Sequence, residues 1–118
     1  MSEYLFRGRR LKDKQWVYGY LCTSINYIGD TNPKLSIQEG GYFRQVDPST
    51  VGQYIGKEDI HNKRIFDGDI CRMPDADWMG SLPIRYEQYT FKFGIQPLGT
   101  MDENVRFEII GNIHEVTQ

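Results

Sequence analysis

Asp67 and Asp69 form the tightest acidic group in the chain, and His61 lies a short way upstream. Paired carboxylates suit a divalent cation or general acid–base work, and with an imidazole close by they would suit a hydrolase. The same residues have a plainer use. Asp67-Gly68 is a turn dipeptide whose glycine supplies a positive backbone angle, and Asp69 beside it can accept backbone N–H bonds. Cation loops need regularly spaced oxygen ligands, and no D-x-D-x-D-G run is present. Backbone shaping is therefore the expectation for this pair, with hydrolysis around Asp67, Asp69 and His61 as the lesser alternative.

His61 and His114 are isolated, without an HxxxH, HxH or CxxC arrangement, so zinc would need scattered ligands such as His61 with Asp59. His61 is expected in a solvated turn and His114 at the surface. No G-x-S-x-G elbow, Walker loop or dinucleotide fingerprint occurs. The expectation is a protein without catalytic residues, metal or cofactor.

Binding chemistry has more support. Arg7, Arg9, Arg10, Lys12 and Lys14 form a basic run, followed at once by Trp16, Tyr18 and Tyr20. Cations beside aromatic rings suit nucleic acid, the rings stacking bases and the cations meeting phosphates. A net charge of -2, however, gives no global field toward a polyanion. A basic edge strand also serves simply to prevent edge pairing. Tyr and Trp are favoured at protein interfaces. Trp16 to Cys22 alternates Trp16, Tyr18, Tyr20 and Cys22 against Val17, Gly19 and Leu21, apolar on both faces. This strand is expected to be covered on both sides, the second cover being another copy of the chain. A homo-oligomer through Trp16, Tyr18 and Tyr20 is thus expected, with a nucleic-acid module on the basic strand as the alternative.

The elements that must position these residues are strands. The chain has 118 residues, 39% apolar, 25% charged and 14% aromatic, with a single alanine, Ala76. That fits one globular domain rich in strand formers and nearly without the best helix former. Strands are expected at 4–10 and 16–22, around Leu35 and Ile37, at 42–46, 53–55 (ended by Gly56), 69–71, 86–95 and 105–114. Gly29 to Pro33 reads as a loop, Gly40-Gly41 as a bulge or turn, and 74–83 as irregular. Asp47 should cap a single helical turn begun by Pro48. The sum is an all-β domain: a small curled, barrel-like sheet with an N-terminal hairpin extension. The N-terminus has no apolar run of signal-peptide length and no stretch would span a bilayer, so a cytoplasmic protein with reduced Cys22 and Cys71 and no membrane partner is expected.

The run from Val46 to Gly56 (VDPSTVGQYIG), then Lys63 to Ile70 (KRIFDGDI), resembles the core of the YopX proteins. Phe6-Arg7 with Trp16-Val17-Tyr18-Gly19, and Phe107 to Glu115, resemble that family's two ends. The resemblance implies a small, mostly β protein of bacteriophages and prophages without an established activity, and it brings no catalytic residues; a host or phage protein is a further expected partner beside a second copy. The resemblance covers nearly the whole chain as one domain, 1–118, with a hairpin region 1–45 and a barrel-like core 46–118. Its typical positions here, Asp47, Pro48, Gly52, Gly56, Gly68, Asp69 and Gly111, are of types that build a fold. The polar stretch from Asp75 to Ser81 departs from the family pattern and is where a variable function is expected.

Overall fold

The computed structural model describes residues 5–24 and 34–115 and divides into two compact units, Met1–Tyr54 and Ile55–Gln118. Tyr4 and the expected loop from Gly29 to Pro33 lie outside the described residues. The all-β expectation holds: two antiparallel sheets, with 3-10 turns as the helical segments among the described residues.

In the first unit, β1 (Phe6–Arg9), β2 (Trp16–Ser24), β3 (Lys34–Glu39), β4 (Tyr42–Gln45) and the start of β5 (Gly52–Glu58) pair in the order β4-β3-β2-β1-β5. Residues directly opposite on paired strands share a face. Phe6 opposes Gly19, Gly8 opposes Val17 and Leu21 opposes Ile37, so these positions form the inner face. Val17, Ile37 and Val46 are buried there, with Phe6, Leu21, Leu35 and Val51 packed around them. Each large side chain so buried contributes about 1.5–3 kcal/mol. The sheet curls until Arg10 bridges Val46, Leu11 N–H donates to the Gln45 carbonyl (3.2 Å) and Asp47 N–H donates to that of Arg9 (2.9 Å). This closure is local to one end, which makes the sheet curled and barrel-like but not a closed barrel.

The expected cap is present in the same unit. Asp47 Oδ1 accepts from Ser49 N–H (3.0 Å) at the start of the 3-10 turn Pro48–Thr50. Thr50 then accepts Arg9 N–H on its hydroxyl at 2.9 Å, which ties the turn to β1.

In the second unit, the end of β5 neighbours β6 (Arg64–Phe66). A separate sheet has the order β10-β9-β8-β7-β11, from β7 (Asp69–Arg72), β8 (Ser81–Glu87), β9 (Thr90–Phe93), β10 (Gln96–Pro97) and β11 (Glu108–Asn112). Ile65, Cys71, Met73, Ile84, Phe93 and Phe107 form the core, with the Phe93 and Phe107 rings edge-on at 5.2 Å.

Four local expectations are corrected. The alternation from Tyr86 to Ile95 is not one strand but a hairpin, β8 to β9, pairing Glu87 with Thr90 and Tyr86 with Phe91. Gln88 (φ 53°) and Tyr89 (φ 68°) make its two-residue turn in the left-handed region. Neither residue type favours that region, so no local turn signal marked the reversal. Second, β5 does not end at Gly56 but runs through it at φ 88°. Third, the irregular stretch ends earlier than Pro83, which lies within β8 opposite Ile70. Fourth, the last strand spans Glu108–Asn112 and not 105–114.

The turn at Gln88-Tyr89 gives a first prediction. Two-residue turns of this hand favour Asn-Gly, and Tyr89 is 93% exposed, so packing does not repay its left-handed backbone. Gln88→Asn with Tyr89→Gly is expected to raise stability by about 1 kcal/mol, read as a higher urea midpoint at unchanged slope. A lower midpoint would refute it.

Candidate functional site

The outer face of the first sheet is built by the same register that fills its interior. Arg7 opposes Tyr18 and Arg9 opposes Trp16, so the cations of β1 and the aromatics of β2 stand side by side. The guanidinium carbons of Arg7 and Arg9 lie 4.6 Å and 5.3 Å from the Trp16 ring centroid. Such contacts contribute about 0.5–2 kcal/mol each, more as the cation loses water, and Arg7 is buried. Further along the face, Tyr20 opposes Gln38, which in turn opposes Phe43. Tyr18, Tyr20 and Phe43 are 46%, 62% and 66% exposed.

This arrangement separates the expected basic run from the expected aromatic face. On the Trp16–Cys22 strand Val17 faces the core of the first unit, while Tyr18 and Tyr20 are exposed on the other face. The basic run does not form one patch. Arg7 and Arg9 lie on Trp16, Arg10 meets Asp13 at 3.6 Å, and Lys12 and Lys14 stand exposed in the turn after β1. Trp16, Tyr18 and Tyr20 are brought together on one face as expected. Phe43 joins them through β3–β4 pairing, which the alternation around Leu35 and Tyr42 signalled without fixing the register.

The residues with catalytic potential engage separate partners. Asp69 is buried and accepts Phe66 N–H at 2.8 Å. Asp67 accepts Arg85 Nε at 3.1 Å and Tyr86 N–H at 3.2 Å. Gly68 between them has φ 101°, donates to the Ile84 carbonyl (2.7 Å) and accepts Ile113 N–H (2.8 Å). The His61 imidazole meets Glu108 at 3.0 Å. Glu108 also accepts from Arg72 Nε, and these two partners, His61 first, hold its carboxyl below the usual range. Asp59 touches His61 through the backbone, accepting its N–H at 2.8 Å. His114 is half-buried, its N–H donated to the Asn112 side chain at 2.8 Å. Among the described residues, no three His, Cys, Asp or Glu side chains gather as a metal site. Cys22 donates to the Ser36 carbonyl at 3.6 Å, and among the described residues neither Cys22 nor Cys71 forms a disulfide. Gly52 opposes Arg7 at the start of β5, and Gly111 follows a register shift in β11.

The stretch from Asp75 to Ser81 overlaps a 3-10 segment, Pro74–Met79, kinked at Ala76 and held by two arginines. Arg106 makes two bonds to Asp75 (2.9 and 3.1 Å), and Arg72 makes one to Asp77 (3.2 Å). Ala76 and Met79 pack inward, which leaves Trp78 85% exposed. Elsewhere in the second unit, adjoining hollows of about 300 and 380 Å³ share Lys57, Glu103, Val105 and Phe107. Nothing in the local sequence marked this groove, because β5 and the segment after β10 are distant in the chain.

No helix among the described residues is long and apolar enough to cross a membrane. No curated protein and no solved structure matches the chain. The sequence model of the family described as YopX protein matches residues 5–118, taking in the outer face of the first sheet, the Asp67-Gly68-Asp69 turn and the groove. The chain belongs to the YopX family.

Proposed function

We propose that this chain is an accessory protein of the bacteriophage and prophage type that acts in the cytoplasm by binding, without chemistry of its own. Its partner is a second copy, met through the outer face of the first sheet. The observation that carries this reading is the exposed row of Tyr18, Tyr20 and Phe43 beside Trp16. Large rings displayed on a hydrogen-bonded sheet lose little conformational entropy on contact, which is what an interface favours. Arg7 and Arg9 support it by fixing the Trp16 ring in place. The employment of Asp67, Asp69 and His61 on a backbone N–H, an arginine and a glutamate supports the absence of chemistry.

Sedimentation of the purified protein across micromolar concentrations tests the reading. A concentration-dependent increase in mass is expected. Tyr18→Ser with Tyr20→Ser should weaken association by at least about tenfold while leaving the fold intact by circular dichroism. A monomer at every concentration would overturn the reading. So would salt-sensitive capture of single- or double-stranded DNA by that monomer, which would favour the nucleic-acid module instead.

A further inference from the structure

The second unit carries a surface whose chemistry is complementary to that aromatic, basic face. The groove beside β5 has an apolar floor of Leu98, Met101 and Val105. Its rim holds three exposed acids, Glu58, Asp102 and Glu103, against Lys57 and one exposed cation, Arg106, whose guanidinium is paired with Asp75. Lys57, on the same wall, donates to the Glu103 backbone carbonyl at 3.4 Å. Gly56, at φ 88°, has open space where a side chain would begin, and Gly99 opposite is equally open. An apolar floor with an acidic rim fits a partner that offers rings and cations together.

The first unit offers that combination. Tyr18 and Tyr20 are displayed on β2, and Lys12 and Lys14 are exposed in the turn that leads into it. The charge balance follows the same division. The segment to Tyr54 has seven Lys and Arg against five Asp and Glu, and the remainder has seven against eleven.

We propose that association is head-to-tail: the acidic groove of one copy receives the Tyr18–Tyr20 face and the Lys12–Lys14 turn of the next. This rests on the self-association reading above and adds the second, unlike surface. An interface between unlike surfaces leaves one of each unpaired, so it builds rings or open chains and not a symmetric face-to-face dimer.

Two charge-reversed chains test it, one with Glu58→Lys and Glu103→Lys, the other with Lys12→Glu and Lys14→Glu. All four positions are exposed, and circular dichroism with urea unfolding checks that each variant folds. Each variant alone is expected to associate at least about tenfold more weakly, because like charges then face each other. An equimolar mixture should return to within about threefold of the wild-type constant, since every contact between unlike chains again pairs opposite charges. Unchanged association of the groove variant alone would overturn the head-to-tail arrangement while leaving self-association through the tyrosine face standing. So would a mixture no stronger than its components. A wild-type chain that stays monomeric would remove the underlying reading itself. A groove that binds a foreign basic peptide while its reversal leaves self-association untouched would assign it to a different partner.

Discussion

Gly19→Ala is expected to cost about 3 kcal/mol or more, read directly as a fall in urea midpoint. A Cβ built at this position would lie 1.9 Å from the Gln38 carbonyl oxygen and 3.2 Å from the Ile37 side chain. The first obstacle is backbone, so no rotamer change relieves it. β2 and β3 would have to separate where Leu21 and Ile37 pack together, and the inner face of the first unit would loosen with them. Gly41→Ala is the control, because nothing lies within 4 Å of a Cβ there. Gly41→Ala should be neutral to slightly stabilising through the unfolded chain. Should Gly19→Ala match the control, the close approach of β2 and β3 is wrong.

The second large effect is expected at Asp59. This buried carboxylate accepts three backbone N–H groups: His61 (2.8 Å) and Lys63 (3.0 Å) on one oxygen, and Ile109 (3.1 Å) on the other. It thereby closes the turn after β5 and fastens it to β11. Hydrogen bonds to a charged acceptor contribute about 1.5–3 kcal/mol each, and they are not additive when they share one group. Asp59→Ala should therefore cost about 3–5 kcal/mol and speed amide exchange at Lys63 and Ile109. A loss below about 1 kcal/mol would refute the assignment.

Asp59 also sets a pH dependence. Burial pushes its carboxyl up, but the N–H groups of Lys63, Ile109 and His61, with the His61 charge, more than offset that and hold it below its ordinary value. A carboxyl depressed in the folded state stabilises the fold above its unfolded value, near about pH 3.9. That contribution is lost as pH falls through the lower, folded value. Unfolding followed from neutral to acid pH should show this loss in the wild type and a shallower slope in Asp59→Asn.

How much of this was legible in the chain follows from which signals are local. The Asp47-Pro48 cap, the Gly40-Gly41 turn and the Gly68 turn were each readable because a few adjacent residues decide them. The inner face of β2 was legible in part: alternation gave its two sets, but both were apolar, and only pairing with β1 and β3 showed which set faces the core. The Tyr86–Ile95 stretch misled for a related reason. Alternation persists through a two-residue reversal, and Gln88-Tyr89 lacks the glycine or asparagine that would have marked it.

The sequence by itself determined the strand-rich class, the family, and the punctuation around Asp47 and Gly68, since propensity and turn chemistry act over a few residues. Tertiary structure alone decided that Arg7 and Arg9 lie on Trp16, that Asp59 fastens β11, and that Glu58 and Glu103 border one groove. Those relations join residues far apart in the chain, and their energy depends on register and burial, which no short segment encodes.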